Sequence, residues 1–342
     1  MDLKIVGADG APITESPKIV GASGETLNPT IETNEVDQLA MGGTELMKYG
    51  LAERLDPKLL DQFQIIPSRV REVDPDKKTV LWLHDLPQDP ESQHLKEPEN
   101  LEMFDKIVYV SEWQKQQYQN FLGIPPSKGQ VLKNAIVPFK EHSKSEDTIN
   151  IIYHTTPHRG LELLIPVYEQ IAQMYDNVHL DVYSSFNAYG WPDRDKPYKD
   201  LFKTIEDNPR MTYHGFQPND VVREALKKAH IFAYPSIWQE TSCIALMEAM
   251  SAGVMCVHSN LGALPETAAN WTYMYQFDEE PSRHANAFGQ CLIQAIELFN
   301  SDSKKNILQQ RLTMQQVYAN SFYSWDSRIV EWNGLLGTLA DS

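Results

Sequence analysis

Short apolar runs rich in β-branched and aromatic residues alternate along the chain with longer stretches whose apolar positions recur at helical spacing. In the first half "LKIVG", "FQIIPS", "TVLWLHD", "KIVYVS" and "QVLKNAIV" predict strands. "GTELMKYGLAERL" and "EWQKQQYQNFLG" predict amphipathic helices between them. "PFKEHSKSEDTIN", Pro138 to Asn150, is polar and aperiodic and reads as a boundary. The second half restarts with strands at "NIIYHTT", "VHLDVYSS", "MTYHGF", "IFAYPS", "VMCVHSN" and "TYMYQF", again separated by helices. "SWDSRIVEWNGLLGTLA" is one more amphipathic helix. Strands alternating with helices predict an α/β chain with parallel sheets, here as two doubly wound domains around a cleft. Ligands of such sheets lie beyond the carboxyl ends of the strands. "KIVGA" occurs at Lys4–Ala8 and Lys18–Ala22, too few copies for a repeat architecture. The stretch from Ala8 to Met41 is long for a connection, a property of functional or mobile loops.

Composition narrows the partners. At 342 residues, 42% of them apolar and 10% aromatic, the chain can bury two cores. No apolar run approaches a membrane span, and "MDLKIVGADG" lacks the basic start and apolar core of an export signal. Cys243, Cys256 and Cys291 show no metal-ligand spacing and are odd in number, which suits a reducing cytoplasm. The net charge of −17 is spread over both halves, with 23 acids against 16 bases in residues 1–145 and 24 against 14 in residues 146–342. That balance argues against nucleic acid and against a basic membrane-surface helix. The expected partner is a small molecule held by a few placed cations.

Chemistry concentrates in "YPSIWQETSCIALMEAMSAG", Tyr234 to Gly253. A strand and a turn at Pro235 lead into a helix predicted over "TSCIALMEAMSA", with Thr241 or Ser242 as its N-cap. The first turn of a helix offers free N–H groups and a partial positive charge, and the small side chains of "TSC" let an anion approach. Glu240 precedes the helix and Glu248 follows eight residues later, about 12 Å along a helix axis and close to two turns. Both carboxylates are therefore expected to face one ligand. A nucleoside diphosphate sugar fits: ribose hydroxyls on Glu248, phosphate on the helix start, sugar hydroxyls on Glu240.

"ETSCIALME" followed by "AMSAGVMCVHSNLGALPE" resembles the Glu-seven-residues-Glu signature of retaining GT-B glycosyltransferases, family 4 (glycosyl transferases group 1). "GGTE" resembles the family's N-terminal glycine loop, "WLHD" its histidine strand end, and "YVSEWQKQQY" a mid-domain segment. "TTPHRGLELLIPVYEQI" resembles the opening of the second domain, "YHGFQP" the base-contacting turn, and "FYSWD" the C-terminal crossover. The resemblance covers about residues 42–335. It implies a GT-B architecture of two Rossmann-like domains facing a central cleft. Residues 1–140 would form the acceptor-side domain together with a C-terminal helix at about 325–342, and residues 141–324 the donor domain. By the same resemblance Gly42 and Gly43 approach the diphosphate and sugar, Arg159 clamps the diphosphate, and His84 lies near the reacting sugar. Phe216 and Gln217 contact the base, while Thr241, Ser242, Cys243 and Ile244 present the helix start. Glu266 holds the sugar or supports the phosphate loop.

The implied reaction moves a sugar from a UDP- or GDP-sugar to an acceptor hydroxyl with retention, without metal or other cofactor and without a protein nucleophile. The acceptor is left open between saccharide, lipid-linked, protein and small-molecule hydroxyls, and so is the oligomeric state. Members often carry a second cation six residues before Arg159, where this chain has Tyr153. "DRD", Asp193–Asp195, has the form of a metal site but sits in a polar loop, which favours a solvated segment over a metal-dependent transferase. No Gly-x-Gly-x-x-Gly follows any strand, which disfavours a nicotinamide dehydrogenase. The remaining alternative is a non-catalytic nucleotide-sugar-binding or scaffold protein of the same fold.

Overall fold

The computed structural model describes residues 42–145 and 147–342. "LKIVG", both "KIVGA" copies and the stretch from Ala8 to Met41 lie outside the described residues. The first unit contains α1 (Gly43–Ala52), α2 (Pro57–Leu60), β1 (Phe63–Pro67), β2 (Lys78–Leu83), α3 (Pro98–Leu101), β3 (Lys106–Tyr109), α4 (Glu112–Leu122) and β4 (Gly129–Val131). Its strands pair in parallel in the order β1-β2-β3-β4. Strand β2 shows why both faces must be covered, since all its residues after Lys78 are buried. Val80 and Trp82 pack with Met47 and Leu51 of α1, and Leu81 and Leu83 pack on the opposite face with Ile107, Tyr118 and Leu122.

The second unit contains β5 (Ile149–Tyr153), α5 (Leu161–Met174), β6 (Val178–Val182), α6 (Lys199–Asp207), β7 (Met211–Tyr213), α7 (Asn219–Leu226) and β8 (Ile231–Tyr234). It continues with α8 (Ile244–Ser251), β9 (Met255–Ser259), α9 (Leu264–Ala268), β10 (Tyr273–Tyr275), α10 (Pro281–Phe299) and α11 (Lys305–Phe322). The six strands are parallel in the order β10-β9-β8-β5-β6-β7. From β5 the chain winds outward through β6 and β7, then returns to the other side of β5 with β8. The strand order therefore reverses between β5 and β8, and a crevice opens there at their carboxyl ends.

The last helix, α12 (Trp325–Ala340), leaves the second unit and completes the core of the first. Ser324 caps it by accepting from the Ser327 N–H, and Ile136 N–H donates to the Tyr323 carbonyl at 2.8 Å as the two segments cross. Trp332 then meets Trp82 edge to face, with ring centroids 5.0 Å apart. Among the described residues no helix is long and apolar enough to cross a membrane.

Candidate active site

The crevice between β5 and β8 brings together two side chains distant in sequence. Arg159 ends the 3-10 turn Pro157–Arg159 after β5, and Glu240 lies in the loop after β8. Arg159 Nη1 donates to Glu240 Oε1 at 2.5 Å, and the hydroxyl of Tyr234 donates to the same oxygen. Both side chains are mostly or wholly buried, and Arg159 lies 5.5 Å from the face of Trp238. The guanidinium of Arg159 is held charged, its deprotonation pushed up against the effect of burial by the Glu240 carboxylate. The turn requires the following residue, Gly160, to take φ +130°. A Cβ there would lie 2.2 Å from the Pro235 carbonyl oxygen, so only glycine brings these two loops together.

Helix α8 starts later than its sequence suggests. It begins at Ile244 with Cys243 at the N-cap and no side-chain cap, so neither Thr241 nor Ser242 caps it. Thr241 is diverted to the other domain, where its hydroxyl donates to the His84 carbonyl at 2.7 Å. Asn134 Nδ2 donates to the Ser242 carbonyl at 3.3 Å, and a Cβ on Gly43 would stand 3.2 Å from Ile244 Cδ1. The start of α8 thus abuts the glycine loop, the end of β2 and the segment after β4.

The two glutamates do not share one helix face, because Glu240 lies outside the helix. Glu248, inside α8, is buried on a different set of partners. Arg223 Nη1 donates to Oε1 at 2.7 Å and Asn219 Nδ2 to Oε2 at 3.1 Å. Burial pushes the Glu248 carboxyl up, partly offset by Arg223. Asn219 and Arg223 were missed by the sequence reading, although they sit four apart on one face of the helix after "YHGFQP". That turn carries Phe216 and Gln217 at the carboxyl end of β7, fixed by Gln217 Nε2 donating to the His214 carbonyl at 3.0 Å.

Glu266 is the largest departure from expectation. Its carboxylate accepts from the Glu112 and Trp113 N–H groups at 3.0 and 2.9 Å and pairs with Lys133. It therefore ties α9 to the start of α4 across the domain boundary, with both oxygens engaged, instead of holding sugar or phosphate loop. The Lys133 ammonium and these N–H groups hold its carboxyl below the usual range against burial. The "DRD" segment is likewise structural: Asp195 accepts from Ser185 Oγ and from the Phe186 N–H, and Asp193 pairs with Lys196 in an exposed position. Tyr153, at the position of the second cation, is buried and donates to the Thr156 carbonyl at 2.9 Å.

Buried polar atoms without a protein partner gather around this crevice. They include Arg159 Nε, both ring nitrogens of His158, Thr156 Oγ1, Ser184 Oγ and, across the cleft, His84 Nε2. Such atoms cost free energy unless a polar group meets them, and a polyhydroxyl phosphate ligand would do so. Burial pushes His84 down to about 3, so it is neutral at physiological pH and carries a proton on only one nitrogen. Beside it, burial and the neighbouring Asp89 push Asp85 up to about 6. Gly42 completes the arrangement, with the ring of Tyr189 lying against the position its side chain would fill.

Two parallel α/β units meeting at the carboxyl ends of their strands, with a C-terminal helix crossing back, define the GT-B fold of nucleotide-sugar glycosyltransferases. The chain overlays a glycosyltransferase from Rickettsia africae ESF-5 with a TM-score of 0.62 at 14% identity, over 91% of this chain and 84% of that one. It overlays HepE of Anabaena, solved in complex with UDP and glucose, with a TM-score of 0.58 at 15% identity, over 76% and 72%. Residues 134–300 match the family glycosyl transferases group 1, so the chain carries a glycosyl transferases group 1 domain. It is also similar to a phosphatidylinositol N-acetylglucosaminyltransferase polypeptide of Arabidopsis thaliana, 29% identical over 168 residues. That match covers 47% of this chain and 36% of the relative, about a third of its length.

Proposed function

We propose that this protein transfers a sugar from a nucleoside diphosphate sugar, UDP- or GDP-linked, to an acceptor hydroxyl with retention of anomeric configuration. The observation that carries the reading is the Arg159–Glu240 pair in the β5/β8 crevice, facing Gly42, Gly43 and the start of α8. In this reading residues 141–324 hold the donor, and residues 1–140 with the helix at 325–342 present the acceptor. Glu248, oriented by Arg223 and Asn219, takes the ribose hydroxyls; Phe216 and Gln217 border the base. The diphosphate lies between Arg159, the N–H groups of Thr241–Ile244 and the glycine loop. Glu240 orients Arg159 and meets the sugar, and the partnerless Nε2 of His84 faces the reacting sugar from the other domain.

Charge grows on the diphosphate as the glycosidic bond breaks, so a guanidinium and helix N–H groups placed there stabilise the transition state more than the ground state. A departing phosphate oxygen takes the acceptor's proton, and no side chain is assigned as nucleophile, metal ligand or cofactor anchor. UDP is favoured because HepE was solved with it. The acceptor class stays open between saccharide, lipid-linked, protein and small-molecule hydroxyls, and the cytoplasm is the proposed compartment.

The test is thermal stabilisation by a panel of nucleotides and nucleotide sugars, followed by donor hydrolysis with and without chelator. A ligand at 100 times its Kd adds about 2.7 kcal/mol, a clear melting shift. Turnover that survives EDTA is expected. No stabilisation by any nucleotide sugar overturns the reading; stabilisation with no hydrolysis and no transfer to any acceptor selects the scaffold alternative.

A further inference from the structure

The connection between β6 and α6 has a structure of its own. It forms two 3-10 turns, Phe186–Tyr189 and Pro192–Tyr198. The Asp195 carboxylate pins the second turn to the start of the first through Ser185 and the Phe186 N–H. Phe186 stacks on His158 with ring centroids 4.9 Å apart, and Gly190 turns the chain at φ +73°. The connection is therefore fixed at both ends, and it carries Tyr189 over the crevice.

Tyr189 touches both domains there. Its hydroxyl accepts from Arg159 Nη2 at 3.1 Å. Its ring lies on the glycine loop, where a Cβ on Gly42 would stand 2.7 Å from Tyr189 Cε1. A phenol that accepts from a guanidinium keeps its own proton for a further acceptor. Among the described residues no hydrogen bond uses that proton. The one hydroxyl placed between Arg159 and the glycine loop is thus a donor aimed at the ground assigned above to the diphosphate.

We propose that Tyr189 donates a hydrogen bond to the departing diphosphate beside Arg159, in the part that a second cation would otherwise play. The inference rests on the donor-site reading given under the proposed function. Tyr153 cannot fill that part, being buried with its hydroxyl committed to the Thr156 carbonyl. A neutral phenol grips the ground-state diphosphate less than a lysine would. Its hydrogen bond strengthens as charge accumulates on the leaving oxygen, so its effect belongs in kcat more than in donor affinity.

The experiment compares wild type, Tyr189→Phe and Arg159→Ala for kcat, donor KM, UDP Kd and Tm, using UDP-glucose hydrolysis or whichever donor the panel identifies. Tyr189→Phe keeps the ring on Gly42 and removes only the O–H. Its kcat is expected to fall tenfold or more, with UDP Kd changed less than threefold and Tm unchanged. A kcat within twofold of wild type overturns the proposal, and so does tighter UDP binding with faster turnover, which would make the hydroxyl a competitor of the donor for Arg159. If Tyr189→Phe is silent while Arg159→Ala is inactive, only this proposal fails. If both turn over normally, the donor-site reading fails with it. Incorporating 3,5-difluorotyrosine at 189 supplies a readout that a structural role would not move. The more acidic phenol ionises at lower pH, and a phenolate cannot donate, so kcat should be kept at low pH and lost where wild type is still active; a pH profile identical to wild type overturns the proposal.

Discussion

Cutting the Arg159–Glu240 pair should cost stability and activity in different proportions. The two side chains are 19% and 6% exposed and meet at 2.5 Å, so Glu240→Ala strands a guanidinium in a largely buried crevice. Breaking one partner of a buried ion pair costs about 3–5 kcal/mol. Arg159 keeps the Tyr189 hydroxyl at 3.1 Å and the Trp238 face at 5.5 Å, which places the loss near the lower end, about 3 kcal/mol. For a unit of this size that is a fall in Tm of roughly 6–12 °C. Arg159→Ala strands the carboxylate on Tyr234 and should cost a similar amount. The double variant Arg159→Met/Glu240→Leu should recover much of the loss, because an apolar pair of similar volume replaces two desolvated charges. It should not recover activity. Arg159→Ala is expected to lower kcat by ~10²–10³, whereas Glu240→Ala leaves the cation free and should bind UDP at least as well as wild type while sugar transfer fails. The assays are urea and thermal unfolding, UDP titration calorimetry and donor turnover on all four proteins. A loss below about 1 kcal/mol for Glu240→Ala, or strictly additive losses in the double variant, would refute the coupling.

Two other predictions follow from single positions. Gly160→Ala meets the Pro235 carbonyl oxygen 2.2 Å from its new Cβ at a φ of +130°, and should destabilise the fold in urea by at least ~2 kcal/mol and reduce turnover by displacing Arg159. Asp85 has its folded pKa raised to about 6 by burial and by Asp89, with Glu45 adding to the rise and Arg69 and Ser68 opposing it. A raised carboxyl contributes stability at low pH that is lost as pH climbs from its usual 3.8 through about 6, roughly 3 kcal/mol at most. Asp85→Asn should therefore be more stable than wild type at pH 8 and flatten the stability curve between pH 4 and 6.5; an unchanged curve by urea titration would count against the burial of that charge.

The strands and major helices were legible because their signals are local and agree with one another. "TVLWLHD" is apolar throughout its first five residues, as a central parallel strand must be, and β2 occupies it. "IFAYPS" and "VMCVHSN" became the buried strands β8 and β9 by the same rule. The site was legible only where one residue type does one job. Arg159 and Glu240 were both singled out, but nothing local says that they bind each other, since that depends on the reversal of strand order between β5 and β8. The cap of α8 was misread because a threonine before a helix is ordinarily a cap, whereas Thr241 is claimed by a carbonyl of the other domain. Glu266 was misplaced for a related reason: a carboxylate in a loop looks like a ligand group until Lys133 and the start of α4 are seen to take both of its oxygens. Contacts across the domain boundary leave no periodic trace in sequence.

The crossing of α12 has a consequence for the order in which the protein acquires its shape. Trp332 is 250 positions after Trp82, yet the two rings share one core. At about 5–20 residues per second, a ribosome delivers the second ring some 13–50 s after the first. During that interval the first sheet has one face sealed by α4, while Val80 and Trp82 on the other lack the cover that Trp332, Leu335 and Leu336 later provide. The second unit, whose core draws on no residue beyond Tyr323, can set first. The sequence that is made earliest is thus finished last, and a nascent chain paused before residue 325 should display an exposed apolar face that the full-length protein never shows.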